Sequence, residues 1–398
     1  MGKQVYDVCI VGGLGHVGLP LGISLASVGK KVVLYDLNRQ AAEMVSRGQM
    51  PFLENDAPAA LRRVVGKTLS VSTDPKSIAA SHFVVVVIGT PVDEHLNPSF
   101  GVIRRLLDDI HDQLHNRQHL ILRSTVYPGT TAKVRDYLAA KGKRPRISFC
   151  PERIAEGHAI EELRTLPQIV ASDDPKAAKE AAGLFSRLTK DIITLTPLEA
   201  ELGKIFTNTW RYIQFAIANQ FYLIASGQGL DFYRIYDAIT YKYRRAAHFP
   251  RAGFAAGPCL FKDTMQLAAH SNNSFFLGHA AMLVNEGLPN HIVDTLKRRY
   301  GLRNKTVGIL GMAFKADSDD KRQSLAYKLR KLLDLEAKGV LCTDAYIHEE
   351  GFVSAKQLVA RSDIIVVAAP HKRYASLKIP RKKLLVDVWN FYGKGGLF

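Results

Sequence analysis

Residues 5–36 read VYDVCIVGGLGHVGLPLGISLASVGKKVVLYD. Val5 to Val11 is β-rich, Gly12 to Gly18 is a turn, Leu19 to Val28 is apolar and small, and Lys31 to Tyr35 is β-rich again. The stretch is a βαβ unit. Within its turn Gly13, Gly15 and Gly18 form GxGxxG, with His16 and Val17 between the last two glycines. In that setting the first glycine permits the tight turn, the second lets backbone approach a pyrophosphate, and the third allows close helix packing. The helix N-terminus faces the negative charge. Asp36 closes the second strand about 20 residues on, placed to accept hydrogen bonds from ribose hydroxyls. These residues predict a dinucleotide site. A carboxylate there favours NAD, since it repels a 2′-phosphate, although Arg39 lies close by.

Outward from this unit, strand-like runs recur at Phe83 to Ile88, His119 to Arg123 and Ile147 to Phe149, with helical stretches at Val102 to Leu114 and Thr131 to Ala140. From Pro197 long helical periodicity takes over, and near Asn304 the alternation restarts with KTVGILGMAF, VLCTD, SDIIVVAAP and KKLLVDVW. The expected class is α/β: two Rossmann-like doubly wound parallel sheets joined by a central helical segment. The expected divisions are a dinucleotide-binding domain over 1–196, a helical domain over 197–297 and a second sheet domain over 298–398.

The 398 residues are 47% hydrophobic and 23% charged, which excludes wholesale disorder and collagen-like repetition. No solenoid repeat or low-complexity tract is present. Lys and Arg number 54 against 37 Asp and Glu, a net charge of +17 that calls for nucleic acid, an acidic membrane surface or polyanionic small ligands. Cys9, Cys150, Cys259 and Cys342 are widely spaced, so neither a disulfide framework nor a metal site is expected. No signal-peptide pattern opens the chain and no apolar run approaches the ~20 residues of a spanning helix, so a cytoplasmic enzyme is expected.

Five further segments carry chemistry-bearing residues. GPCLFKDT (257–264) sets Cys259 beside Lys262 and Asp263 at a helix start, where a thiol becomes nucleophilic, or is merely a small buried hydrophobe. PERIAEG (151–157) puts Glu152 and Glu156 after a strand, facing a ligand or solvent. ELGKIFTNT (201–209) places Lys204 and Asn208 on one helix face, for a ligand or an ion pair. STVYPGTT (124–131) sets hydroxyls at a strand end, with Thr130 or Thr131 as a helix cap the plainer alternative. GMAFKADSDDKRQS (311–324) brings Lys315 and Arg322 around a turn, a pair suited to a diphosphate.

Taken in order, with GLGHVGLP and a terminal VDVWN, these motifs resemble the UDP-glucose/GDP-mannose dehydrogenase family over nearly the whole chain. The resemblance implies oxidation of C6 of a nucleotide-linked sugar, twice, to a uronic acid, with NAD as cofactor. It implies a thiol nucleophile at Cys259, a supporting aspartate at Asp263, and Lys204, Asn208, Thr125, Glu152 and Glu156 in the catalytic set. Cofactor contacts would come from Gly13, Gly15, His16, Val17, Gly18, Asp36, Thr90 and Thr125. Glu152, Arg153, Lys204, Asn208, Arg245, Lys315 and Arg322 would hold the UDP-sugar. A homodimer through the central helices is also implied, with Arg244 or Arg245 reaching the other subunit's substrate, and a product serving polysaccharide biosynthesis.

Two departures touch no reacting group: His16 stands where the family often has an aromatic residue, and Gly257-Pro258 replaces a glycine pair. PERIAEG with ELRTLPQIV is similar to members acting on UDP-N-acetylhexosamines, whereas GFAAGPCLFKDT is similar to UDP-glucose and GDP-mannose members. N-acetylmannosamine or N-acetylglucosamine therefore stands slightly ahead of glucose. The rivals are a GDP-mannose enzyme, a single-step NAD dehydrogenase and a nucleic-acid binder on a Rossmann scaffold. The last lacks recognition aromatics, zinc knuckles and basic tails, and neither nucleic acid nor membrane insertion is expected. Residues 291–398 hold 21 Lys and Arg against 11 Asp and Glu, which suits a domain that grips a diphosphate.

Overall fold

The computed structural model describes residues 5–93, 95–96 and 100–393. The chain divides into two compact units, with the boundary between Thr207 and Asn208.

The first unit is built on eight strands, β1 (Tyr6–Val11), β2 (Val32–Tyr35), β3 (Leu69–Ser72), β4 (Ser81–Val86), β5 (His119–Leu122), β6 (Arg146–Phe149), β7 (Gln168–Ala171) and β8 (Ile192–Leu195), in the order β3-β2-β1-β4-β5-β6-β7-β8. Alternate side chains of each strand enter opposite cores: Val8, Ile10, Val32 and Leu34 pack on one face, Cys9, Val11, Val33 and Tyr35 on the other. A sheet covered on both faces favours apolar residues at successive positions, which is why VVLY reads as an unbroken run. The glycine turn, Asp36 and the segments after β4, β5 and β6 all follow strand C-termini, so they gather along one edge of the sheet, where α/β folds bind ligands.

One strand departs from the expected parallel arrangement. β7 runs antiparallel to β6, through Phe149 and Ala171, while β8 pairs parallel with β7. Strands β3, β7 and β8 have four residues each, and β3 and β8 are only partly buried, so no long apolar run announces them.

The second unit takes over within the 31-residue helix Pro197–Gly227 and continues through helices Phe232–Thr240, Leu260–His270 and Phe276–Tyr300. It ends on β9 (Thr306–Leu310), β10 (Gly339–Thr343), β11 (Ile364–Val367) and β12 (Leu384–Val386), all parallel in the order β10-β9-β11-β12. Asn219 and Asn285, both buried, form its polar knot. The Asn219 amide donates to Asn285 Oδ1 (2.9 Å) and to the Gly253 carbonyl (3.0 Å), and accepts from Gly253 N–H (2.8 Å). Two long helices are thereby locked to the loop that leads into Cys259. Among the described residues, no helix is long and apolar enough to cross a membrane.

Candidate active site

In the first unit the glycines divide their work by geometry. Gly12, outside the GxGxxG spacing, makes the turn at φ +78°, and a Cβ on it would sit 2.1 Å from the Val87 carbonyl oxygen. Gly13, expected to be the turn residue, instead lies against β2, where a Cβ would meet the Leu34 backbone at 2.9 Å. Gly18 packs the helix Gly18–Ser27 onto the turn, its would-be Cβ 2.5 Å from the Gly12 oxygen. Gly15 is exposed, and a Cβ there would meet nothing closer than 3.8 Å. The open glycine is the one a pyrophosphate has to approach. Val17 heads the helix without a side-chain cap.

Asp36 ties the turn to β2: Oδ2 accepts from Leu14 N–H and Oδ1 from Asn38 N–H, both at 3.0 Å, and its remaining lone pairs are open to ribose hydroxyls. The His16 ring stacks on Phe52 at 4.1 Å between centroids, so it acts as the flat ring expected of an aromatic at that place. Thr90 and Thr125 are brought together, the Thr90 hydroxyl donating to the Thr125 carbonyl, and Ser124 Oγ accepts from Ile88 N–H at 2.7 Å. The helix Thr130–Ala140 is not capped by either threonine. Its N-terminal N–H groups at Gly129 and Thr131 go to the buried carboxylate of Glu201, at 2.6 and 2.7 Å.

The loop 151–157 is pinned by carboxylates. Glu152 is buried, and both of its oxygens are engaged: Oε2 by the Arg123 guanidinium, Oε1 by the N–H groups of Arg153 (2.7 Å) and Ile154 (3.1 Å). Both oxygens of Glu152 are thus spent on Arg123 and on the backbone of its own loop. Glu54 accepts from Gly157 and Ala159 N–H at 2.8 Å each, and Glu162 accepts from Ala155 N–H. Arg153 turns its guanidinium onto the Pro167 carbonyl. Arg123, Glu54 and Glu201 escaped sequence reasoning because each acts across a long chain separation; a charged residue inside or beside an apolar run, as Arg123 ends HLILR, is the one local signal.

In the second unit Cys259 is the exposed cysteine, at the N-cap of the 11-residue helix Leu260–His270. Burial pushes the thiols of Cys9 and Cys150 up to about 12 and that of Cys342 to about 11, so those three are inert hydrophobes. Asp263, one turn into the helix, is fully buried between the Asn208 amide, which donates to Oδ2 at 2.6 Å, and the Lys262 ammonium on Oδ1. Lys204 lies one helical turn before Asn208 and is 8% exposed.

Gly257, at φ +104°, has the Phe314 ring where a Cβ would be (2.5 Å), and Gly253 is covered in the same way by Trp389. The loop before Cys259 is thus laid directly against the 311–324 turn, with Gly257 N–H donating to the Gln323 carbonyl at 3.3 Å. In that turn Lys315 is half-buried with its ammonium 5.8 Å from the Phe314 ring centre. Arg322 forks onto Asp320 at 2.6–3.0 Å. Arg245 is exposed, beside Tyr243.

The first unit carries a dinucleotide turn and the second an exposed cysteine at a helix start, features that suit an NAD-dependent oxidoreductase. The chain belongs to the UDP-glucose/GDP-mannose dehydrogenase family: its NAD binding domain matches residues 6–189, its central domain 198–286 and its UDP binding domain 308–394. A UDP-N-acetyl-D-mannosamine dehydrogenase of Pyrococcus horikoshii is 29% identical, covering 94% of this chain and 93% of its own. Among solved structures, the UDP-D-ManNAc dehydrogenase of the same organism superposes with a TM-score of 0.89 at 27% identity, over 97% of this chain and 96% of that one. A UDP-glucose dehydrogenase from Pyrobaculum islandicum gives 0.88 at 25% identity, over 98% and 95%.

Proposed function

We propose that the chain is a UDP-sugar 6-dehydrogenase that oxidises the C6 hydroxyl twice, to the UDP-uronic acid, with UDP-N-acetylmannosamine the favoured substrate. The observation that carries this reading is the exposed thiol of Cys259 at a helix N-terminus, one turn before an aspartate buried between an amide and an ammonium. The helix terminus favours a thiolate. The favoured sugar rests on the PERIAEG and ELRTLPQIV segments and on the Pyrococcus horikoshii relative.

NAD held by the glycine turn and Asp36 would accept one hydride per molecule, so a second NAD would have to replace the NADH between the two oxidations. Lys204, with Asp263 and Asn208, takes the hydroxyl proton as the first hydride leaves C6 and steadies the developing alkoxide. Cys259 Sγ then adds to the aldehyde carbon, giving a thiohemiacetal that keeps the aldehyde from escaping. Loss of the second hydride leaves a thioester. Water activated by Glu156 attacks it, forming the carboxylate and returning the thiol, while Glu152 and Thr125 position the loops around the reacting carbon. Lys315 and Arg322 bind the diphosphate.

The organisation proposed is the three-domain one, 1–196, 197–297 and 298–398, in a cytoplasmic homodimer that feeds polysaccharide assembly. Support for the dimer is the apolar stripe of Phe206, Trp210, Ile217, Phe221 and Ile224 along one face of the helix Pro197–Gly227, all exposed in the single chain. Arg245, exposed beside Tyr243, is the residue proposed to reach the other subunit's substrate. NADH production measured against UDP-N-acetylmannosamine, UDP-N-acetylglucosamine, UDP-glucose and GDP-mannose tests the reading. Turnover of GDP-mannose alone would overturn the UDP assignment.

A further inference from the structure

The positive charge of the C-terminal sheet domain is not spent at Lys315 and Arg322. A separate cavity of about 1110 Å³ lies along the helix Ala355–Arg361, walled by the segment after β10 and by residues 373–383, and neither Lys315 nor Arg322 lines it. Roughly 300–1,000 Å³ is usual for a small-molecule site, so the space is ample for a nucleotide. Its walls are of two kinds.

Ile347, Phe352, Val359 and Leu377 make an apolar side. Lys356, Arg373, Lys378, Lys382 and Lys383 make a cationic one.

Charge compensation separates this cavity from an ordinary basic surface. Of its two acids, Glu349 is paired with Lys321 and the Tyr327 hydroxyl, while Asp344 is hydrogen-bonded by the N–H groups of Met312, Ala313, Tyr346 and Ile347 and by His371 Nε2 at 3.0 Å, whose Nδ1 accepts from Asp317 N–H, so one carboxylate charge stands against five cations. Of the five cations, Lys383 donates to the Ala360 and Ser362 carbonyls and Arg373 to the Ala345 carbonyl, neutral acceptors that leave the charge in place. None of the five meets a carboxylate among the described residues. The field inside is therefore strongly positive and is available to a ligand.

Tyr374 adds a third feature. It lines the cavity and is 4% exposed, yet its buried hydroxyl has no hydrogen-bond partner among the described residues. An orphaned buried hydroxyl costs free energy that a polar ligand atom recovers. Apolar walls, one orphaned hydroxyl and five uncompensated cations match an amphiphilic anion, with a ring system at one end and several phosphate charges at the other.

We propose that this cavity is a second nucleotide site, which takes a nucleoside di- or triphosphate in addition to the cofactor and the sugar nucleotide. The phosphates engage Lys356, Lys378 and Lys382, and the base lies on the apolar wall near Tyr374. This also uses part of a charge surplus that two ligands alone do not need.

The test is a titration of the full-length protein with trinitrophenyl-ATP, in saturating UDP and NADH so that the other two sites are filled. Expected are one equivalent bound per chain, displacement by ATP or UTP, and displacement by pyrophosphate only at higher concentration. Lys378→Glu with Lys382→Glu, both surface changes, should weaken binding about tenfold or more through loss of two charge-assisted contacts. Tyr374→Phe should weaken it less, and both variants should keep wild-type NADH production without added nucleotide. Absence of binding in the blocked protein, binding that survives the double glutamate variant, or pyrophosphate competing as well as ATP would each overturn the proposal. Capture by anionic phospholipid vesicles without capture of the free nucleotide would do the same.

Discussion

Arg123 and Glu152 form a buried ion pair that joins three strand ends. The Arg123 guanidinium, without solvent exposure, donates Nε to Glu152 Oε2 at 2.9 Å, Nη1 to the Cys150 carbonyl at 3.1 Å and Nη2 to Gln168 Oε1 at 2.9 Å, with the Phe185 ring 4.7 Å below. It thereby ties β5 to the loop after β6 and to β7. Arg123→Met would strand the Glu152 carboxylate in the interior at a cost of about 3–5 kcal/mol, since removing one partner leaves a buried charge unpaired. Urea unfolding of the variant reads this directly, and a loss under 1 kcal/mol would show that the pair does not hold the loop.

The nucleotide turn makes opposite predictions for two of its glycines. Gly18→Ala drives a methyl into the Gly12 carbonyl, 2.5 Å away, and should destabilise the first unit by about 1–3 kcal/mol. Gly15→Ala has open space around it, so melting should be unchanged while the KM for NAD rises by on the order of tenfold, the worth of one hydrogen bond to a charged group. Equal effects of the two on melting would contradict the division of labour.

Cys259→Ala should leave the first hydride transfer possible and remove the second, so NADH formed per sugar falls from two to no more than one. Full four-electron turnover in this variant would remove the thioester from the mechanism, whereas one NADH per sugar from the unaltered chain would favour the single-step rival.

His119 makes the first unit acid-sensitive. Burial drives its imidazole from 6.5 down to about 4, against the opposing pull of Glu180, while its ring bonds Glu180 at 3.1 Å and Ser148 Oγ at 2.8 Å. The unfolded chain takes up the proton more readily, so this contribution is complete above pH 6.5 and is lost as pH falls toward 4. The loss amounts to about 3 kcal/mol. His119→Gln should flatten the stability curve across that window in chemical denaturation; an unchanged slope would assign the acid sensitivity elsewhere.

The apolar stripe on the helix Pro197–Gly227 predicts its own disruption. Trp210→Glu with Ile224→Glu places two charges on exposed positions of one face, and sedimentation should shift from dimer to monomer without loss of helical signal. A wild-type chain that sediments as a monomer would refute the assembly outright.

Much of this molecule is local in its sequence. The strand-turn-helix-strand of residues 5–36, the restart of alternation near Asn304 and the order of motifs are set by periodicity and by glycines whose tolerances belong to one turn. Those signals sufficed for two parallel sheets, for NAD and for the family. They did not reach β7, whose four residues reverse direction beside β6, because direction in a sheet is decided by partners far along the chain. Nor did they show that Glu152 is committed to Arg123, that Glu201 caps the helix after β5, or that Arg322 is folded onto Asp320.

Composition recorded the +17 charge and its concentration toward the C-terminus, but a few cations suffice for the two ligands implied and the sequence left the remainder unassigned. Only the tertiary structure decided which cations are compensated and which surround an open cavity. The reason is that compensation is a matter of ångströms between residues such as Lys321 and Glu349, 28 positions apart, and sequence spacing carries no record of that distance.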